Sequence, residues 1–376
     1  MDAPGQVDWD MALRGAVAAW LLAQAAVLVV PGPQAARRLA LAGFALAVAG
    51  YVFCQRPAVL LTLPRPAAYA VLTLCVGAGG WMWVAARALF DDRFRWTPAT
   101  VATLLALVVL GLAANLPYFP DGAGPFRALP EDHVARALER LHQAALLGLQ
   151  LAALWVVLRD WRSDLVASRR LARRWAAAGV ALYAVASLAV ELALRGRDVG
   201  PLLPSLHLAT IGLMALAVGT WVAHRSLDDL LGRTAVDGAA TLPVEPPPPP
   251  QPATAPLPER VTQQLARLEQ AMSGERLYRR EGLTLAALAQ ALGMGEAALR
   301  ELINQRLGFR NFNDFLHHHR LREAAERLQR EDLPVLTIAL DCGYGSIGPF
   351  NRAFRQRLGV TPTAYRAAAR LKREPA

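Results

Sequence analysis

Arg300 and Asn304 lie one helical turn apart, behind Glu296 and Ala297, on the face opposite Leu299, Leu302 and Ile303. Farther along, Asn351, Arg352 and Arg355 stand opposite Phe350 and Phe354, behind a tip of Ile347 and Gly348. The chemistry these side chains offer is recognition. A guanidinium is a planar fork of donors that fits phosphate oxygens and the guanine edge bidentately. Residues on two such faces are therefore candidates for base-edge or nearby phosphate contacts. Catalysis has no comparable set: there is no phosphate loop, no nucleophile elbow and no metal-ligand helix pair. His317, His318 and His319 come nearest to a metal motif, but successive residues splay around a helix and cannot close on one ion. Cys54, Cys75 and Cys342 show neither metal spacing nor a disulfide framework. The expectation is a non-enzyme with no metal and no cofactor.

Both polar faces follow a tight glycine turn. Thr284 is a natural N-cap, Leu285, Leu288, Ala289 and Leu292 form a buried stripe, and Gly293 ends that helix before the next begins at Glu296. The scheme repeats with a short helix containing Ile338, Ala339 and Leu340 that ends at Cys342-Gly343. Ser346 is then placed to cap a helix whose first turn accepts Pro349 at no cost. Helix, glycine turn, helix with a polar outer face is the geometry that lays a helix in the major groove. A longer helix over 311–329 joins the units, with Phe312, Phe315, Leu316, Leu321, Ala324, Ala325 and Leu328 inward. At 1.5 Å per residue it spans about 27 Å, enough with helix radii for two recognition helices to enter successive grooves about 34 Å apart. An amphipathic helix over 259–272 (Val261, Leu265, Leu268, Met272) precedes the pair, and a last helix over 363–370 turns Tyr365 inward.

This arrangement resembles the DNA-binding domain of the AraC/XylS family of bacterial transcription regulators. The residues that carry the resemblance are Leu285 with Leu288-Ala289, Gly308-Phe309 with Phe312 and Phe315-Leu316, Arg320-Leu321 with Ala324, Ile338-Ala339, Gly343-Tyr344, Ser346, Phe350-Asn351-Arg352-Ala353-Phe354, Leu358-Gly359, Thr361-Pro362 and Tyr365-Arg366. It covers about 280–370. It departs at Gly295, where the family usually has a capping serine, and at Gly348-Pro349, which leave the second recognition helix bare at its tip. The resemblance implies double-stranded promoter DNA as a partner, and RNA polymerase as the machine recruited or blocked. Residues 259–376 carry 19 Arg plus Lys against 13 Asp plus Glu, a net of +6 that favours phosphate.

Most of what precedes this domain is membrane-type sequence. A hydrocarbon core needs roughly 20 apolar helical residues. Seven runs meet that length: about 12–30, 36–54, 67–90, 97–117, 138–158, 174–194 and 202–223. The expected fold is therefore all-α: a seven-helix transmembrane bundle over 1–225, a linker over 226–258, and a double helix-turn-helix domain over 259–376. With the N-terminus outside, the cytoplasmic loops hold the arginine-dense stretch Arg159, Arg162, Arg169, Arg170, Arg173 and Arg174. Seven spans then leave the C-terminus in the cytoplasm, where DNA is. The localisation expected is the bacterial inner membrane, with a periplasmic N-terminus.

Ionisable residues within spans are costly and often functional. Asn115, His142, Glu191 and His207 fall in the outer leaflet and form a candidate pocket for a signal ligand, the competing reading being interfacial residues that snorkel or cap helix ends. Trp81 and Trp83 read as packing or lipid-facing residues. The proline run over 243–258 cannot form helix or sheet and reads as an extended spacer. The whole is expected to couple a membrane or periplasmic signal to promoter binding, with homodimerisation of the bundle as one route and a separate membrane partner as another. The alternative is a multi-pass transporter or enzyme carrying a regulatory DNA-binding tail, which calls for a polar cluster or broken helices at mid-bilayer depth.

Overall fold

The computed structural model describes residues 9–29, 34–54, 60, 62–115, 133–179 and 259–371. These residues are almost wholly helical, and strand-type pairing among them is limited to an isolated bridge between Asp164 and Asn311. They fall into two compact units. The first holds the described residues of Met1–Trp161 and Leu171–Leu231, the second those of Arg162–Arg170 and Gly232–Ala376.

The first unit contains α1 (Trp9–Val29), α2 (Ala35–Cys54), α3 (Arg65–Val76), α4 (Ala78–Phe90), α5 (Pro98–Asn115) and α6 (His133–Arg159). Alanine and leucine runs favour each helix, and proline opens α3 and α5, where its missing donor is harmless. α1, α2 and the Arg136–Arg159 part of α6 are long and apolar enough to cross a membrane. α3 and α4, bent by 50° at a break, make a fourth if they form one broken span, and α5 is apolar but shorter. Of the seven expected runs, the first, second and fifth thus coincide with helices of spanning length, the third with the bent pair and the fourth with a helix shorter than a span. The sixth, 174–194, is described only as far as 179, and the seventh, with the linker, lies outside the described residues.

Arginines tie this unit together by satisfying carbonyls at helix ends, which have no partner within the helix. Arg37, at the start of α2, donates to Ala88 O at 2.5 Å and to Asp91 O and Asp92 O at 3.0 and 2.9 Å. Arg173 donates to Val156 O, Val157 O and Phe90 O. Arg14, in α1, reaches Val52 O near the end of α2 and pairs with Asp10. Trp81 packs against Gly43 on α2, and Trp83 lies under the Arg87 guanidinium at 5.0 Å. The outward faces stay apolar: Leu105 and Val109 on α5, and Leu147, Leu151 and Trp155 on α6, are all exposed.

The second unit contains α7 (Glu259–Glu269), α8 (Leu285–Ala291), α9 (Glu296–Glu301), α10 (Phe312–Arg330), α11 (Val335–Asp341), α12 (Ile347–Leu358) and α13 (Pro362–Leu371). Two of these end differently from the sequence expectation. α7 widens into a π turn, Gln270–Gly274, and α9 stops after six residues and continues as a second π turn, Leu302–Arg306. Two hydrophobic cores result, and α10 serves both. Its first half gives Phe312, Phe315 and Leu316 to a core with Leu268, Met272, Leu288, Leu299 and Ile303. Its second half gives Leu321, Ala324, Ala325 and Leu328 to a core with Ile338, Tyr344, Phe350 and Phe354.

Candidate nucleic-acid interface

The two glycine turns are built alike. After α8, Gly293 N donates to Gln290 O at 3.1 Å and Met294 N to Ala289 O at 3.0 Å. After α11, Gly343 N donates to Leu340 O at 2.9 Å and Tyr344 N to Ala339 O at 3.1 Å. This paired closure satisfies the last carbonyls of each helix and needs a left-handed residue at its centre. Gly293 and Gly343 supply it, with φ of +62° and +90°. Each turn throws the chain into a helix whose inner side is fully buried: Leu299 and Ile303 in the first unit, Phe350 and Phe354 in the second. The starting caps differ from expectation in one respect. Thr284 caps α8 through its hydroxyl, which accepts from Ala287 N at 3.1 Å, whereas Ser346 stands at the N-cap of α12 without a side-chain cap bond.

The polar faces are unequal. On α12, Asn351, Arg352 and Arg355 are exposed, with Ile347 and Gly348 half-buried at the tip. On α9, Glu296 and Ala297 are exposed, but Arg300 is only 16% exposed. Its guanidinium donates to Asp164 O at 3.1 Å, to Arg162 O at 3.3 Å and to Glu296 at 3.0 Å. Asn304 turns back to give its amide to Phe309 O at 3.0 Å, closing the π turn. Arg306, just beyond it, is exposed and was not singled out from the sequence. The segment Arg162–Arg170 was also missed, because a contact across more than a hundred residues leaves no local pattern.

The two halves are joined by charge as well as by α10. Arg320 is buried and donates to Tyr278 O at 2.7 Å and to Arg280 O at 2.9 Å, while its guanidinium lies 5.5 Å from the Tyr344 ring. Glu323 accepts from Arg279 and Arg276. Burial alone would raise its carboxyl, but the Arg279 hydrogen bond and charge hold it below the usual range. The three histidines have structural partners. His317 Nδ1 is 2.9 Å from the Tyr344 hydroxyl, His318 Nδ1 faces the Arg357 guanidinium at 2.9 Å, and His319 stacks on Tyr278.

Of the candidate signal-pocket residues only His142 can be placed. It is buried, with Nε2 3.3 Å from Val76 O, the carbonyl that ends α3 at the bend. Asn115 ends α5 and its side chain lies outside the described residues, as do Glu191 and His207 entirely.

The residues that build the paired helix-turn-helix units have a match in sequence. Residues 288–368 fit the model of a helix-turn-helix domain. The probable transcription factor PqrA of Proteus vulgaris is 31% identical over 90 residues, which cover 24% of this chain and 73% of PqrA. This chain belongs to the AraC/XylS family. Regulatory protein SoxS of Escherichia coli K12 is 37% identical over 67 residues, covering 18% of this chain and 58% of SoxS. The RCS-specific HTH-type transcriptional activator RclR of the same strain is 36% identical over 87 residues, which span 30% of RclR. No solved structure matches. Every one of these AraC-type relatives is matched over no more than 24% of this chain. The chain is thus a DNA-binding transcription regulator of AraC type.

Proposed function

We propose that this regulator works from the bacterial inner membrane, with the apolar helices of the first unit spanning the bilayer and the second unit reading promoter DNA from the cytoplasmic side. The observation that carries this reading is the union in one chain of two features. One is a double helix-turn-helix whose second face presents Asn351, Arg352 and Arg355 to solvent. The other is a set of helices whose outward surface is leucine, valine and tryptophan. An apolar surface of that extent is stable against lipid and a liability in water. A basic, polar helix face is suited to a groove. On this reading the span helices receive a signal and the two recognition helices read a bipartite site, Arg352 and Asn351 at one groove and the first unit at the next. Polymerase recruitment or blockade then follows from where that site lies.

The test is a genome-wide map of DNA bound by the full-length protein in cells, set against Arg352→Ala at equal abundance. The expected result is discrete promoter peaks that the variant loses. Identical site-specific profiles would remove Arg352 from recognition, and the absence of any peak in the wild type under all growth conditions would sink the regulator reading.

A further inference from the structure

The segment Arg162–Arg170 packs with the DNA-binding unit although helices of the first unit flank it in sequence. It is seated by a run of specific contacts. Leu165 is 3% exposed and forms part of the core of the first helix-turn-helix. Asp164 bridges to Asn311 in antiparallel fashion, with Leu165 N donating to Arg310 O at 3.0 Å and Phe312 N donating to Ser163 O at 2.9 Å. The carbonyls of Arg162 and Asp164 accept from Arg300. The segment is also braced internally. Asp164 is fully buried, pairs with the buried Arg169 at 3.4 Å and accepts from Val166 N at 3.0 Å, while Arg170 donates to Asp164 O at 3.2 Å.

The groups it occupies are those the first unit would use on DNA. Arg300 is the arginine on the recognition helix α9. The Phe312 amide is the first N–H of the 19-residue helix α10, an orphan donor that in a DNA-bound unit would face water or phosphate. A backbone carbonyl on a guanidinium and a carbonyl on a helix-start amide are the same chemistry as phosphate or guanine oxygens on those donors. The segment is not a standard part of the domain, since the family match spans 288–368 and excludes it. Within that core Leu165 is the one residue from the segment, beside Leu268, Met272, Leu288, Leu299, Ile303 and Phe315 of the helices themselves.

We propose that Arg162–Arg170 is an intramolecular competitor of DNA, a clamp that holds the first recognition helix until it is withdrawn. The clamp follows α6, which ends at Arg159, and its last residues open a helix that begins at 167 and runs on into the first unit after Arg170. A shift of those helices is what would pull it off. The second recognition helix, with Asn351 and Arg352 exposed, keeps a weak hold on DNA throughout, and release of Arg300 adds the second groove. This rests on the DNA-binding reading above and adds its regulation.

The experiment uses full-length protein in lipid nanodiscs and a fluorescein-labelled pool of random duplexes of about 40 bp, long enough for two half-sites. Leu165→Asp, which cannot seat in the apolar core, should bind at least about fivefold more tightly than wild type, the lower end of typical coupling between sites. Arg300→Ala should cost more affinity in the Leu165→Asp background than in the wild type, where the guanidinium is engaged by Arg162 O and Asp164 O. Amide exchange at Leu299 and Ile303 reports whether the first unit stays folded in Leu165→Asp. If it does not, Leu165→Ala, which keeps the position apolar, decides with a smaller gain of the same sign. Equal affinity of wild type and released variant, or an Arg300→Ala loss that is the same in both backgrounds, overturns the clamp and leaves DNA binding standing. Failure of both proteins to bind duplex at low salt overturns the DNA-binding reading and the clamp with it.

Discussion

Gly343 and Gly293 hold the same position in two copies of one turn, yet their surroundings differ. A Cβ on Gly343 would stand 2.6 Å from Arg279 O and 2.7 Å from Tyr278 O, backbone atoms that cannot swing away. A Cβ on Gly293 would meet nothing within 4 Å. Gly293→Ala therefore pays only for a left-handed residue, about 1 kcal/mol, whereas Gly343→Ala adds a backbone clash and should cost about 2–4 kcal/mol. Native-state amide exchange of the full-length protein, read in α8 and α11, the helices that the two glycines close, measures both, and equal costs would refute the clash. At this scale the sequence showed the turn glycines and the inward aromatics, because each follows from local periodicity and a single φ. It did not show that Asn304 would close a π turn on Phe309 O, or that Arg300 would meet the carbonyls of Arg162 and Asp164. Those depend on backbone brought in from elsewhere.

α10 is the element on which the domain turns, since it buries one half in each core and carries the histidines between them. Burial, then Arg357 and Arg322, push His318 down to about 4; burial, then His318 and Arg322, push His319 down to about 4 as well. In the unfolded chain each would titrate near 6.5. Between about pH 4 and 6.5 the unfolded state thus binds more protons than the folded one, and stability rises with pH across that window. Acidifying from pH 7 to 5 should lower stability by on the order of 1–2 kcal/mol, with His318→Gln plus His319→Gln flattening the dependence. Urea midpoints at the two pH values check it, and a midpoint that rises on acidification would contradict the buried neutral pair. The sequence placed this helix to within a residue at either end and set its inward stripe, since strong periodicity and the flanking Gly308 and Pro334 bound it. It excluded a three-histidine metal site on geometry but could not foresee three separate partners, Tyr344, Arg357 and Tyr278, each delivered by a different element.

Across the whole chain the described residues of the two units present different surfaces, apolar side chains on the outward helix faces of the first and charged side chains on those of the second. The expected apolar runs are helical where they are described, because in such segments composition alone favours helix, but only three are single helices long enough for a bilayer: the third is bent at a break and the fourth stops short. Which helices neighbour one another was not legible, because it rests on apolar contacts between distant segments and on arginines that reach carbonyls far along the chain. Those arginines also carry a topological consequence. Arg37 gathers the start of α2 and the end of α4, and Arg173 gathers the ends of α4 and α6, so these termini share one end of the first unit. Arg95, exposed between α4 and α5, belongs to that end, while Arg65, exposed at the start of α3, belongs to the opposite one, since α3 and α4 lie between them. If the unit spans a membrane with its arginine-rich end inside, single cysteines at the two positions must report opposite sides. With Cys54, Cys75 and Cys342 replaced by serine or alanine, Arg65→Cys in intact spheroplasts should react with a membrane-impermeant maleimide. Arg95→Cys should react only after the membrane is opened. The reverse pattern would place the end bearing Arg37 and Arg173 outside, and with it the adjoining Arg162–Arg170 segment that packs on the DNA-binding unit, where there is no chromosome to read. The same behaviour at both positions, whether reaction before the membrane is opened or only after it, would mean that α3 and α4 do not carry the chain across a bilayer.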